Sequence, residues 1–238
     1  MSSWFALDAS FRRSISQSLM ALIGIAAKKC TLSTSMSEAD SHDIPKPMTE
    51  EQIRRVTVGL TPKQDSGKVV LVDYDPAWPV LFIRENERIK LALGAKAISI
   101  EHVGSTSVPG LPAKPIVDIL LVVDSSADEK SYLPVLEAAG YVLRIREPDW
   151  HEHRMFKGPD TNIDLHVFSR GDEEIERMLI FRDWLRENPA DRDFYLRTKR
   201  ELARKDWNYV QNYADAKSKV VESIIARARS SRQNRTVT

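Results

Sequence analysis

Residues 102–118 read His-Val-Gly-Ser-Thr-Ser-Val-Pro-Gly-Leu-Pro-Ala-Lys-Pro-Ile-Val-Asp, and no other stretch restricts the fold as much. A strand over 97–103 runs into Gly104-Ser105. The chain then turns through Pro109, Gly110 and Pro112 and enters a more buried strand over 116–123. Glycine at 104 lets a backbone approach a ligand closely. The amides and hydroxyls of Ser105, Thr106 and Ser107 suit a phosphate, or else satisfy the turn itself. Lys114 adds a cation nearby. Asp118 is an acid inside an otherwise apolar strand. An unpaired buried charge is costly, so Asp118 is expected to pair, for example with Lys114, to bind a metal, or to lie at the strand's open edge.

The remaining pattern places these strands in an α+β domain. Residues 69–72 read as a strand. Asp75-Pro76 starts a helix whose apolar residues Trp78, Leu81, Phe82, Ile89 and Leu93 recur at helical spacing up to Gly94. A helix over 131–139 closes at Gly140, a strand follows over 141–146, and 153–157 and 163–168 flank a Gly-Pro-Asp turn as a hairpin. Three helical segments follow, marked by Ile175, Leu179 and Leu185, by Tyr195, Leu196 and Leu202, and by Val220, Val221, Ile224 and Ile225. A strand-rich middle before a helical end predicts a mixed sheet with flanking helices and a C-terminal helical segment.

The first 67 residues differ from the rest. Residues 1–35 hold four basic residues and one acid, Asp8, with dense serine and threonine. Such a start is read as a disordered extension, a transit peptide or a poor secretory signal. Residues 36–67 are polar and punctuated by prolines. A short helix capped by Thr49 lies within them, and the whole stretch reads as linker. The expected organisation is leader and linker over 1–67, one domain over 68–230, and a tail over 231–238. One cysteine, Cys30, excludes an internal disulfide and favours a reducing compartment. The expectation is a cytoplasmic protein, or a mitochondrial one if the leader is a transit peptide. The longest apolar run, 19–27, is too short for a bilayer, and a formal net charge of +1 gives no global basic field. Neither a membrane nor a nucleic acid is expected as a partner, and the oligomeric state is left open.

A hydrophobe, Gly and Ser, then an acid in a strand about a dozen residues on, resembles the signature of the nucleotidyltransferase superfamily. More narrowly, GSTSVPGL followed by AKPIVDI and Leu165-His-Val is similar to the hallmark of the GrpB-like family. Tyr74-Asp-Pro-Ala-Trp-Pro and Phe181-Arg-Asp-Trp-Leu-Arg agree with it, and the likeness spans residues 69–229. The resemblance implies a nucleotidyltransferase-like fold binding a nucleotide or nucleotide-like small molecule. Transfer to an unknown acceptor is one implied activity, a degenerate nucleotide- or coenzyme A-binding module another, and a structural partner domain a third. It places Gly104, Ser105, Thr106, Ser107 and Lys114 at the nucleotide, and Asp118 and Asp164 at catalysis and at Mg²⁺. His102, Arg154 and His166 are further pocket residues, and Glu101 is a candidate third acid.

The sequence departs from the superfamily pattern at one position. Alternate residues of a strand share a face, so the second metal-binding acid belongs at 120, where the chain has Leu120. Metal affinity is therefore expected to be weak and turnover slow or absent, and Leu120→Asp is expected to strengthen it if the strand tolerates a second acid. His151 and His153 share a face if extended, a candidate zinc pair with Asp164 and His166, or a polar hairpin face. Lys199, Arg200, Arg204 and Lys205 read as a solvated helix face, or as supplying one phosphate contact.

Overall fold

The computed structural model describes residues 47–59 and 69–236; the expectations for the leader and for most of the linker lie outside them. Five strands form one mixed sheet: β1 (Ser99–Val103), β2 (Val117–Val123), β3 (Val142–Glu147), β4 (His153–Lys157) and β5 (Ile163–Ser169). Their order is β1-β2-β5-β4-β3, with β2 and β5 parallel and the other neighbours antiparallel. The helices are α1 (Glu50–Val56), α2 (Ala77–Leu93), α3 (Leu133–Ala138), α4 (Glu173–Glu187), α5 (Pro189–Ala203), α6 (Val210–Asp215) and α7 (Ser218–Thr236). The expected α+β class, the mixed sheet and the helical end are all present.

Alternation along the strands gives the sheet two unlike faces. Val117, Ile119 and Leu121 of β2 join Ile163, Leu165 and Val167 of β5 and pack on Trp78, Ile89 and Leu93 of α2 and Leu136 of α3. On the opposite face Val103, Leu120, Val122 and Phe168 lie under Ile175, Met178 and Leu179 of α4. Helices α4, α5 and α7 close into a small bundle around Leu185, Tyr195, Ile224 and Ile225. Helix α4 covers only part of its face. Toward the start of β2 and β5 the residues on that face are Asp118 and Asp164, in register beside one another, and His166 two residues further along β5.

Two stretches depart from expectation. Residues 69–72 make no strand beyond a single antiparallel bridge, Val72 to Ala113. Pro112 and Pro115 flank Ala113, and neither has an N–H with which to extend a ladder. The second is the stretch read as linker. Thr49 and Gln52 form a reciprocal capping box, as their spacing predicts, at 3.3 and 2.8 Å. Ile53 is buried, Thr57 bridges Ile145 of β3, and the Met48 amide donates to Asp215 at 2.9 Å. Residues 48–58 thus dock on the sheet edge and reach the end of α6. At the other terminus, α7 runs helically through residues expected as tail.

Candidate functional site

Gly104 adopts φ +67 and ψ −171, outside the range of residues bearing a Cβ. A methyl group there would overlap the Asp118 carboxylate and lie 2.8 Å from its Cγ. The glycine therefore admits Asp118 beneath the turn, rather than a ligand as its position suggests. The turn is tied down from behind. Ser107 Oγ donates to the Gly104 carbonyl at 2.6 Å, and Arg186 of α4 donates twice to the Ser107 carbonyl, at 3.0 and 2.8 Å. Thr106 Oγ1 lies 3.0 Å from His102 Nε2, and the imidazole stacks on Phe82. Burial pushes His102 down to about 4, so it is neutral near pH 7 and acts as a prop for the turn.

In front of the turn lies a cavity of about 190 Å³. Six of the residues expected at the site line it: Ser105, Thr106, Lys114, Asp118, Asp164 and His166. The helical end adds Lys199, Tyr213 and Lys217. Lys199 is 2 % exposed; its Nζ donates to the Pro112 carbonyl at 2.6 Å and stands 5.0 Å from the Tyr195 ring centroid. Lys217 and Lys114 sit 4.8 and 5.8 Å from the Tyr213 ring centroid.

These charges are unequally compensated. Asp164 is held by Lys157 of β4, and the Asp118 carboxylate lies 3.8 Å from His166 Nε2. Burial alone would raise the Asp118 carboxyl, but His166, Lys114 and Lys217 outweigh it and hold it low. Burial likewise would lower His166, and Asp118 and Asp164 keep it raised. His166 Nδ1 is 3.0 Å from His153 Nε2, whose Nδ1 is 2.7 Å from Glu147. For the three lysines the relief from Asp118 does not offset burial. Burial first, then repulsion from Lys217, pushes Lys114 down and brings Lys199 to about 7; burial lowers Lys217.

A pH dependence of stability follows. The unfolded chain takes up the Lys199 proton near the ordinary lysine value of 10.5, the folded chain only at about 7. Between those values the unfolded state binds more protons, so this residue makes stability rise with pH; below about pH 7 its penalty is fully present. Urea denaturation from pH 7 to 10 should show that rise in wild type and a flatter profile in Lys199→Met. At pH 7 the variant should be more stable by about 1–3 kcal/mol, because a buried ammonium is replaced by an apolar chain of similar length. An unchanged pH slope would show that Lys199 is hydrated.

Several expected residues lie elsewhere. Ser107 faces α4, and His102 sits behind Thr106. Arg154 is not in the pocket: on β4 it pairs with Val167, its guanidinium turns to the α3 side of the sheet, and its Nε donates to Glu129 at 2.6 Å. Glu101 is held by Arg182 of α4 at 2.8 Å. The zinc pair fails on backbone grounds. His151 and Glu152 have φ of 52 and 47, which breaks the extended run, and His151 Nδ1 lies 2.9 Å from Asp172. Of the four basic residues 199, 200, 204 and 205, Arg200 on α5 and Arg204 and Lys205 just past its end are exposed, but Lys199 is buried. Its sign in the sequence was its place within Tyr195, Leu196, Lys199 and Leu202, a lysine inside an apolar stripe. Tyr213 and Lys217 had no such sign, because α6 is six residues long and too short to show a period.

The donor set offers a divalent ion few oxygens. Asp164 is engaged by Lys157, Asp118 faces His166 and lysines, and Leu120 is 0 % exposed under α4. Among the described residues no group of three His, Cys, Asp or Glu is arranged to hold a metal, and no helix is long and apolar enough to cross a membrane.

Comparison with known proteins bears on the same region. The sequence pattern of the family described as GrpB protein matches residues 68–227. A UPF0157 protein of Halalkalibacterium halodurans is 62 % identical over 182 residues, covering 76 % of this chain and 93 % of that protein. A dephospho-CoA kinase of Mycobacterium tuberculosis is 32 % identical over 175 residues, 62 % of this chain and 42 % of the kinase. The crystal structure of conserved protein GrpB from Enterococcus faecalis superposes with a TM-score of 0.59 at 33 % identity, covering 67 % of this chain and 96 % of that one.

Proposed function

The chain belongs to the GrpB family, and from that premise we propose that its lysine-lined cavity binds a phosphate-bearing small molecule of the nucleotide or coenzyme A class. The observation that carries this reading is the convergence of Lys114, Lys199 and Lys217 on one small cavity. Two carboxylates stand against them: Asp164, already held by Lys157, and Asp118, which they share with His166. Burial lowers all three, repulsion from Lys217 adds to it for Lys114 and Lys199, and a bound anion would reverse that cost. Ser105 and Thr106 supply hydroxyls on the same wall. The segment shared with a dephospho-CoA kinase supports the coenzyme A side of the reading. In this reading the lysines neutralise phosphate charge where a nucleotidyltransferase would use metal ions.

A second reading, weak metal-dependent nucleotidyl transfer through Asp118, Asp164 and Mg²⁺, draws support from the two acids standing side by side on parallel strands. One experiment separates the two. The full chain is heated at pH 6, where Lys199 is charged, with ATP, coenzyme A or dephospho-coenzyme A, in Mg²⁺ or in chelator. A ligand at a hundredfold excess over its Kd adds about 2.7 kcal/mol, and so about 5 °C or more to the melting temperature. The lysine reading expects the same shift in chelator and an equal or larger one in Asp118→Asn, which removes a repelling charge. A shift that requires Mg²⁺ and vanishes in Asp118→Asn would support the metal instead. No shift with any of these ligands would sink both.

A further inference from the structure

Resting on that reading, we infer that the site recognises a phosphate chain alone and is blind to the base or other group attached to it. Three observations point this way. First, the cavity holds about 190 Å³, whereas pockets that enclose a drug-sized ligand run from about 300 to 1,000 Å³. A di- or triphosphate fits this space, and a nucleoside attached to it extends outside. Second, both aromatic rings among the described lining residues are occupied: the His166 imidazole stacks on His153, and Tyr213 carries the Lys217 and Lys114 ammonium groups at 4.8 and 5.8 Å from its centroid. The tyrosine ring serves as a platform that holds two cations in place, and stacking a base on it would displace them. Third, among the described lining residues there is no Asn, Gln or Arg side chain to read a base edge, and both carboxylates are engaged, Asp164 by Lys157 and Asp118 by His166. The polar lining consists of ammonium groups, hydroxyls, two carboxylates and an imidazole, and the rest is aliphatic.

Selectivity needs a contact that one ligand makes and its rival does not. A site that hydrogen-bonds a substrate group rejects an analogue lacking it by large factors, because its own buried polar groups are then unpaired. Here the groups that would be left without a full counter-charge are the three lysines, and phosphate oxygens are what every ligand that supplies it has in common. The ligand class is therefore inorganic di- or triphosphate and any nucleoside carrying one.

The test is calorimetric titration of the full chain in chelator with inorganic triphosphate, pyrophosphate, ATP, CTP, UTP and adenosine. The expected result is affinity for triphosphate and the three nucleoside triphosphates equal within about threefold, and no binding of adenosine. Lys217→Ala should weaken all of them together, by tenfold or more. A preference above tenfold for one base, or adenosine binding at the same site, would overturn base blindness while leaving the phosphate reading intact. Nucleotide binding without triphosphate binding would do the same. If none of these ligands binds, and coenzyme A also gives no thermal shift, the phosphate reading fails as well.

Discussion

Leu120→Asp should fail to fold at neutral pH, and added Mg²⁺ should not rescue it. By strand alternation residue 120 is the companion of Asp118, and the register confirms that Glu101, Leu120 and His166 lie side by side. Sharing a face does not mean sharing a solvent. Leu120 is wholly buried between Val103, Val122 and Phe168 beneath α4, whereas Asp118 opens on the cavity. A carboxylate at 120 forfeits about 2 kcal/mol of leucine burial. It also places an unpaired charge in an apolar layer, at a further cost of several kcal/mol. The total, about 5 kcal/mol or more, reaches the lower end of the whole stability of such a domain, about 5–15 kcal/mol. Circular dichroism with thermal or urea denaturation, in Mg²⁺ and in chelator, reads this directly. A cooperative variant that gains stability from Mg²⁺ would show that α4 leaves the strand open at 120. It would also restore the sequence-based expectation that an acid there strengthens metal binding.

Gly104→Ala should destabilise the protein by about 2–4 kcal/mol and disturb the pocket at the same time. A positive φ with ψ near 180° is a region that residues with a Cβ occupy only at a cost of about 1–3 kcal/mol. The added methyl also overlaps Asp118, and the turn cannot retreat easily. Its carbonyls are held by Ser107 Oγ and by Arg186, and Thr106 is propped by His102. In the Gly104→Ala background, Asp118→Ala removes the carboxylate from the overlap and should recover part of the loss, leaving the backbone strain. Such coupling between neighbours is what a double-mutant cycle measures. A cost below about 0.5 kcal/mol, within the range of ordinary surface substitutions, would show slack in the turn and remove the argument that glycine is present to admit Asp118.

Much of the architecture was readable because local chemistry and global packing agree. Alternation in Val117, Ile119 and Leu121, and in Ile163, Leu165 and Val167, marks the strand face that packs on α2 and α3. The same alternation puts Asp118, Asp164 and His166 on the other face. Thr49 and Gln52 announce a helix start, and Pro189 a helix boundary. The misreadings came where a distant element decided the outcome. Residues 69–72 look like a strand, but their partner is hemmed by prolines. Arg154 looks like a pocket cation, but Glu129 draws it to the other face. Lys199 looks like one more solvated charge on α5, but the turn at Pro112 receives its ammonium.

The sequence by itself determined the family, the α+β class, the order of the strands along the chain and the face on which the acids stand. Each of these depends on the identity of residues close together in the chain and on a period of 2 or 3.6. Only the tertiary structure decided what surrounds those acids. The return of α5, and of α6 with the residue that follows Ala216, brings Lys199, Tyr213 and Lys217 over the start of β2 and β5. They arrive from roughly a hundred residues down the chain, where no local pattern records the charge they will meet. The same packing lays α4 over Leu120 and leaves Asp118 open. Which charges lie within reach of one another depends on how helices cross the sheet, and that crossing is set by the whole apolar core at once.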